Sequence, residues 1–154
     1  MSLPTTPAVE STVLHTARGQ MLEVVTGLRD DGYDMVIDLT AVDYAVHPGR
    51  TDLPEGMVGE RFEVVVSLIH HRSRKRVRIR IQVPEEDPIV PSLFDLYPGT
   101  EAMEREVYDL YGVAFEGHPD QTRILMPEDW DGHPLRKDVS VGTIPVRFKN
   151  TAER

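Results

Sequence analysis

His118 and His133 stand in a Pro- and Gly-rich stretch with Asp120, Asp129 and Asp131 close by. Imidazoles and carboxylates together can hold a metal ion or move a proton, so a hydrolytic centre is one chemistry this set could support. The spacing fits no compact zinc motif, neither a helical His-Glu-x-x-His nor a Cys/His finger. Each histidine is followed by a proline, Pro119 or Pro134, which restricts it to extended backbone. An imidazole held that way can fix a turn by local hydrogen bonding. Arg123, Arg136 and Lys137 could grip an anion, but Glu128, Asp129 and Asp138 are nearer partners in sequence. Arginine also pairs with carboxylates bidentately, within a chain or across an interface.

A second charged block precedes these residues: Glu104, Arg105, Glu106 and Asp109. On a helix, Glu101, Arg105 and Asp109 share one face and could form a solvated ladder worth a few tenths of a kcal/mol per pair, roughly. Glu106 points about 100° away from Arg105, so the block could pair on two sides. Other chemistries lack their signatures. No serine sits in a Gly-x-Ser-x-Gly elbow, and there is no P-loop or Gly-x-Gly-x-x-Gly. The absence of cysteine rules out disulfides, thiol catalysis and a Cys-ligated iron–sulfur cluster on this chain.

The elements that must position these groups follow from periodicity. Residues 1–9 read as a flexible tail, and 10–15 as a short edge strand. Met21, Leu22, Val24, Val25 and Leu28 place a stripe on a helix from about Arg18 to Asp30, with Gly32 as its stop. Residues 35–44 are rich in strand formers, and the Pro/Gly-rich stretch 46–59 is a loop. Phe62, Val64, Val66 and Leu68, then Val77, Ile79, Ile81 and Val83, alternate with polar residues around a turn from His70 to Lys75. That predicts an antiparallel hairpin with one wet face. Arg76, Arg78 and Arg80 fall on that face, where they are solvated or meet an acidic neighbour. Pro84 to Pro91 reads as a loop, Ser92–Leu96 as a short helix, and Thr100–Tyr111 as a helix with Met103, Val107, Leu110 and Tyr111 inward.

From residue 114 the chain is too rich in Pro, Gly and charge for helix or strand, yet Ile124, Leu125, Met126, Trp130 and Leu135 are too apolar for simple disorder. An extended strap laid across another surface fits both facts. Trp130, the only tryptophan, would then be an interface anchor or a lid over the domain's own core. The expected fold is α+β and two-layered: a small mixed or antiparallel sheet, helices on one face, and a long extended C-terminal strap. It divides into a tail (1–9), an α+β domain (10–113) and a partner-binding strap with the C-terminal tail (114–154).

Composition narrows the partners. With 26 acidic and 17 basic residues, the formal net charge is −9, which disfavours nucleic acid. No apolar run approaches the roughly 18–20 residues of a membrane span. The N-terminus lacks the basic start and apolar middle of a signal peptide, so a bacterial-type cytoplasmic location is expected.

Four blocks occur in order: Glu104-Arg-Glu-Val-Tyr-Asp-Leu-Tyr-Gly112, Gly117-His-Pro-Asp120, Arg123-Ile-Leu-Met-Pro127-Glu-Asp-Trp130, and Gly132-His-Pro-Leu135-Arg-Lys-Asp138. Together with Asp38-Leu-Thr-Ala-Val-Asp-Tyr44 they resemble the thirty-kilodalton subunit family of respiratory complex I, the NADH:quinone oxidoreductase. The likeness covers about residues 10 to 138. It departs at Gln121-Thr122, where the family pattern resembles Leu-Arg, and at Ala102-Met103, where it often has an Asn-Trp-like pair. Little chain follows Asp138, and Gly142–Phe148 could add a strand-like contact.

The resemblance implies a non-catalytic scaffold of the peripheral hydrophilic arm. It would lie on the cytoplasmic side of the cell membrane and span no membrane itself. It implies docking on the large quinone-site subunit and on cluster-bearing neighbours. NADH, FMN, iron–sulfur clusters and quinone would belong to those other subunits. An equivalent subunit of an F420-, ferredoxin- or hydrogen-fed relative is the alternative. Beside these stand a generic adaptor and a free-standing hydrolase built on His118 and His133.

Overall fold

The computed structural model describes residues 11–47, 49–50 and 53–139. The expected N-terminal tail and the Gly142–Phe148 contact lie outside the described residues. Four strands build the main sheet: β1 (Ser11–Ala17), β2 (Met35–Asp43), β3 (Phe62–His70) and β4 (Lys75–Val83), in the order β1-β4-β3-β2. β3 and β4 form the predicted hairpin, with Val64 opposite Ile81 and Val66 opposite Ile79. β2 adds antiparallel to β3, and β1 adds parallel to β4 as the edge strand. The sheet is therefore mixed, and the fold is α+β.

The alternation buries one sheet face. Phe62, Val64, Val66 and Leu68 join Val77, Ile79, Ile81 and Val83 in one apolar cluster. Helix α1 (Met21–Asp30) adds Met21 and Val25, and helix α2 (Glu101–Tyr111) adds Val107. One turn of 3-10 helix leads into each helix. α1 stops at Gly32, whose φ is +94°. Its N–H donates to Arg29 O at 2.9 Å and that of Tyr33 to Leu28 O at 3.0 Å, the paired bonds of a glycine-terminated helix.

Three sequence expectations are corrected. Residues 84–91 are not all loop, because β5 (Ile89–Pro91) pairs in parallel with β6 (Ala114–Glu116). β6 falls where the strap was expected to begin. Ser92–Leu96 is not a helix but a single turn, in which the N–H groups of Leu96 and Tyr97 share Leu93 O. Pro91 and Pro98 bracket this stretch, and the Ser92 hydroxyl takes the Phe94 N–H at 3.1 Å in place of a helical bond. Finally, the inner side of α2 is not wholly apolar: Glu104 and Asp109 are fully buried beside Val107, while Met103 and Tyr111 are only partly covered.

Candidate functional site

A buried carboxylate must find donors, since leaving it bare costs several kcal/mol, roughly. Each buried acid of α2 finds them in a segment remote in sequence. Glu104 accepts from the Ser92 hydroxyl at 2.6 Å, Leu93 N–H at 2.8 Å and the Thr100 hydroxyl at 2.9 Å. It ties the turn after β5 to the first turn of α2, where a negative charge also suits the helix dipole. Asp109 does the same for the strap. One oxygen takes Arg123 Nη1 at 2.6 Å; the other takes three successive backbone N–H groups, Ile124 at 3.1 Å and Leu125 and Met126 at 2.8 Å. Burial pushes the Asp109 carboxyl up, but the Met126 and Leu125 N–H groups, Arg123 and the Ile124 N–H outweigh it and hold the pKa below the ordinary value.

The strap also satisfies the end of α2. The last four carbonyls of a helix have no partner within it. Here Tyr108 O takes the Gly112 N–H at 2.9 Å, and Leu110 O takes the Leu135 N–H at 3.0 Å. Asp109 O is met by His133 Nδ1 at 3.0 Å, and Tyr111 O by Arg136 Nε at 2.6 Å. Arg123 and Arg136 thus bring positive charge to the negative end of the dipole. Gly112 makes this close approach feasible. Its φ is +72°, and a Cβ there would stand 2.5 Å from His133 Cδ2 and 2.6 Å from Arg136 Nη2.

The far end of the strap is fastened to the sheet. Asp43, at the end of β2, accepts Lys137 N–H at 2.8 Å and Arg61 Nη2 at 3.0 Å. Arg61 also contacts Asp138 at 2.9 Å and pairs with Glu85. Arg61 and Arg136 both lie over the Phe62 ring, at 4.9 and 5.1 Å. Burial raises the Asp43 pKa, and Arg61 with the Lys137 and Ala45 N–H groups more than reverses that. Arg61 itself is pushed further up, chiefly by Asp43, and it holds Asp138 below the usual carboxylate range.

His118 sets a turn, whereas His133 is spent on the end of α2. His118 Nδ1 accepts the Asp120 N–H at 3.0 Å, so Nε2 carries the proton toward Glu101 O at 3.1 Å. Asp120 in turn accepts the Thr122 N–H at 3.0 Å, which lowers its pKa. The structure does not gather His118, His133, Asp120, Asp129 and Asp131 into one centre. Among the described residues, no group of three or more His, Asp or Glu side chains could hold a metal ion.

The remaining candidates surround these anchors. Arg105 pairs with Glu101 at 3.1 Å and also donates to Thr122 O at 3.0 Å, its Oγ1 at 2.9 Å and Arg123 O at 3.2 Å. Asp109 leaves the expected Glu101–Arg105–Asp109 ladder and turns inward. Glu106 is exposed on α2; Gly117, Pro119, Pro127, Glu128, Asp129, Asp131 and Gly132 are exposed on the strap. Trp130 is half-buried, and its N–H closes a turn on Pro127 O at 3.0 Å. Pro134 is partly covered, while Leu135, Lys137 and Asp138 expose their side chains.

Sequence reasoning missed three participants. Gln121, one of the family departures, bonds both backbone groups of Phe115, at 3.0 and 2.6 Å, and so continues the β6 pairing by side chain. Glu63 is fully buried on the face read as wet, held by Arg80 at 2.6 Å, Gln82 at 2.6 Å and Arg50. Asp43 shows no local sign of its role beyond its place in the block 38–44.

Residues 14–144 match the family described as the respiratory-chain NADH dehydrogenase 30 Kd subunit. The chain belongs to that family. It is 42% identical over 135 residues to the C-subunit of the NADH-quinone oxidoreductase of Saccharopolyspora erythraea, covering 86% of this chain and 50% of that one. The corresponding protein of Roseiflexus castenholzii is 42% identical over 144 residues, covering 92% and 76%. The chain thus spans about half the length of some of the relatives it matches. Among solved structures, a trypsin-resistant fragment of Nqo5 superposes with a TM-score of 0.64 at 32% identity, covering 73% of this chain and 84% of that one. A chain of the membrane-bound sulfane sulfur reductase, an archaeal respiratory membrane complex, shares the fold (TM-score 0.71, 19% identity, 97% and 88% covered). Among the described residues, no helix of this 30 Kd family member is long and apolar enough to cross a membrane.

Proposed function

We propose that this chain is a structural subunit of the peripheral arm of a proton-translocating NADH:quinone oxidoreductase, lying peripherally at the cytoplasmic side of the cell membrane. It works by docking on the large quinone-site subunit and on cluster-bearing neighbours and by holding their spacing. Electrons would pass from NADH through FMN and iron–sulfur clusters to quinone on those other subunits, with this chain binding none of them. Fixed cluster-to-quinone geometry needs a rigid support, and a support is rigid only when its own polar groups are satisfied.

The observation that carries this reading is the use of Asp109. A fully buried carboxylate that accepts one guanidinium and three backbone N–H groups is committed to holding the strap. Glu104, Arg105, Arg123, His133 and Arg136 of the family signature are spent in the same way, on helix ends and turns. The outward side chains of the strap are then free to meet a partner.

The test is affinity purification of the tagged chain from its own detergent-solubilised membranes, with mass spectrometry of what accompanies it. Recovery of quinone-site, iron–sulfur and membrane-arm subunits supports the reading, and the input subunits present name the electron donor. Recovery of the chain alone, where other respiratory complexes survive the same detergent, overturns it.

A further inference from the structure

Arg123 Nη2 holds Trp130 O at 3.0 Å and Gly132 O at 2.9 Å, while Nη1 is locked on Asp109. These bonds close residues 123–132 into a compact loop whose base is pinned to α2. What the loop shows to solvent is chemically sorted. Ile124 and Leu125 are 40% and 60% exposed although their backbone N–H groups are fixed on Asp109. Glu128, Asp129 and Asp131 are exposed beside them. The arginines flanking and closing the loop, Arg105, Arg123 and Arg136, all turn inward; Lys137, beyond it, is the exposed cation nearest in sequence.

Two large apolar side chains held rigidly in water keep an unfavourable hydration shell that burial in a partner would release. A loop that is fixed before binding also loses little conformational entropy when it docks. We propose that loop 123–132 is a preformed recognition element that inserts Ile124 and Leu125 into an apolar pocket rimmed by lysine or arginine on a neighbouring protein of the assembly. This rests on the docking function proposed above and specifies the chemistry of the surface that receives it. The acidic rim supplies charge complementarity, which sets the encounter rate and the orientation more than the affinity. It also repels an anionic lipid surface.

The experiment places a photo-cross-linking amino acid at position 125, and separately at the exposed position 135 as a control, in the full chain assembled with its complex in cells. The expected result is a cross-link from position 125 to a different protein of the complex, at a site flanked by Lys or Arg. Leu125→Ser lowers retention of the chain in the purified complex at least tenfold, and Leu125→Met restores it. Raising the salt from 0.05 to 0.5 M weakens retention of the wild-type chain about tenfold, by screening. The triple variant Glu128→Gln, Asp129→Asn, Asp131→Asn loses that salt dependence.

Several results would overturn the proposal and leave the docking function standing. These are a cross-link from position 125 to a second copy of this chain, to lipid, or to a protein site without cations. A cross-link to a neighbouring protein from position 135 alone has the same meaning. Absence of any such cross-link from both positions overturns the docking function as well.

Discussion

Asp109 and Arg123 meet at 2.6 Å, with the aspartate fully buried on α2 and the arginine at the root of the strap. This pair determines where the strap lies. The aspartate collects the next three backbone N–H groups, and the arginine collects two carbonyls further on. Removing one partner of a buried pair costs more than the pair contributes, because the survivor is left uncompensated. Asp109→Ala is therefore expected to destabilise the chain by about 3–5 kcal/mol. Urea unfolding followed by circular dichroism measures this; a loss below 1 kcal/mol, roughly the value of a surface pair, would contradict it.

Glu104 gives a graded counterpart. All three of its donors are neutral. Glutamine can keep one acceptor oxygen toward Leu93 N–H and Thr100, so Glu104→Gln should cost about 1 kcal/mol, and Glu104→Ala two to three times as much. The order Ala worse than Gln, read from denaturant midpoints, is the outcome to check. Equal losses would mean that the acceptor oxygen does not matter.

The hairpin and its buried face are legible in the sequence because alternation is a local signal: Val77, Ile79 and Ile81 declare their face without reference to any other element. Thr100–Tyr111 is legible as a helix for the same reason. The buried acids are not. On a helical wheel, Asp109 continues the ladder of Glu101 and Arg105, and nothing local tells a solvated carboxylate from one whose donors arrive with Ile124, Leu125 and Met126. The β5–β6 pair escapes notice because strands of three residues carry no periodicity. Gln121 looks like the loss of an anchor, whereas its amide stands in for a strand's backbone. The family signature locates the site; only the fold shows what each residue of it holds.

Gly112 tests the close approach of strap and helix. Its positive φ and the 2.5 Å approach to His133 leave no room for a methyl group. Gly112→Ala should displace the His133–Arg136 segment and expose the strap to trypsin at Arg123, Arg136 and Lys137 while the sheet stays folded. Limited proteolysis with mass spectrometry reads this. An unchanged cleavage pattern would contradict the contact.

The strap's anchors predict the sign of its pH dependence. Asp43, Asp109 and Asp138 all have folded-state pKa values held below the ordinary one. Their contribution is complete above the unfolded value of about 3.9 and is lost as pH falls through it toward the folded values. Trp130, the sole tryptophan, reports from the strap itself. Its emission should hold steady from pH 8 to 5, roughly, and shift only below about pH 4. A transition centred between those ranges, near pH 6, would point to a different anchor.

The most direct test of a supporting rather than catalytic role separates assembly from turnover. In cells lacking the native chain, variants Asp109→Ala, His118→Ala and His133→Ala would be supplied. NADH:quinone activity would then be measured per assembled complex, with the assembled amount quantified on native gels. The proposed supporting role predicts a smaller amount of complex with wild-type turnover in each complex that forms. Full assembly with turnover lost, above all for His118→Ala, would contradict it and make the histidine part of the chemistry.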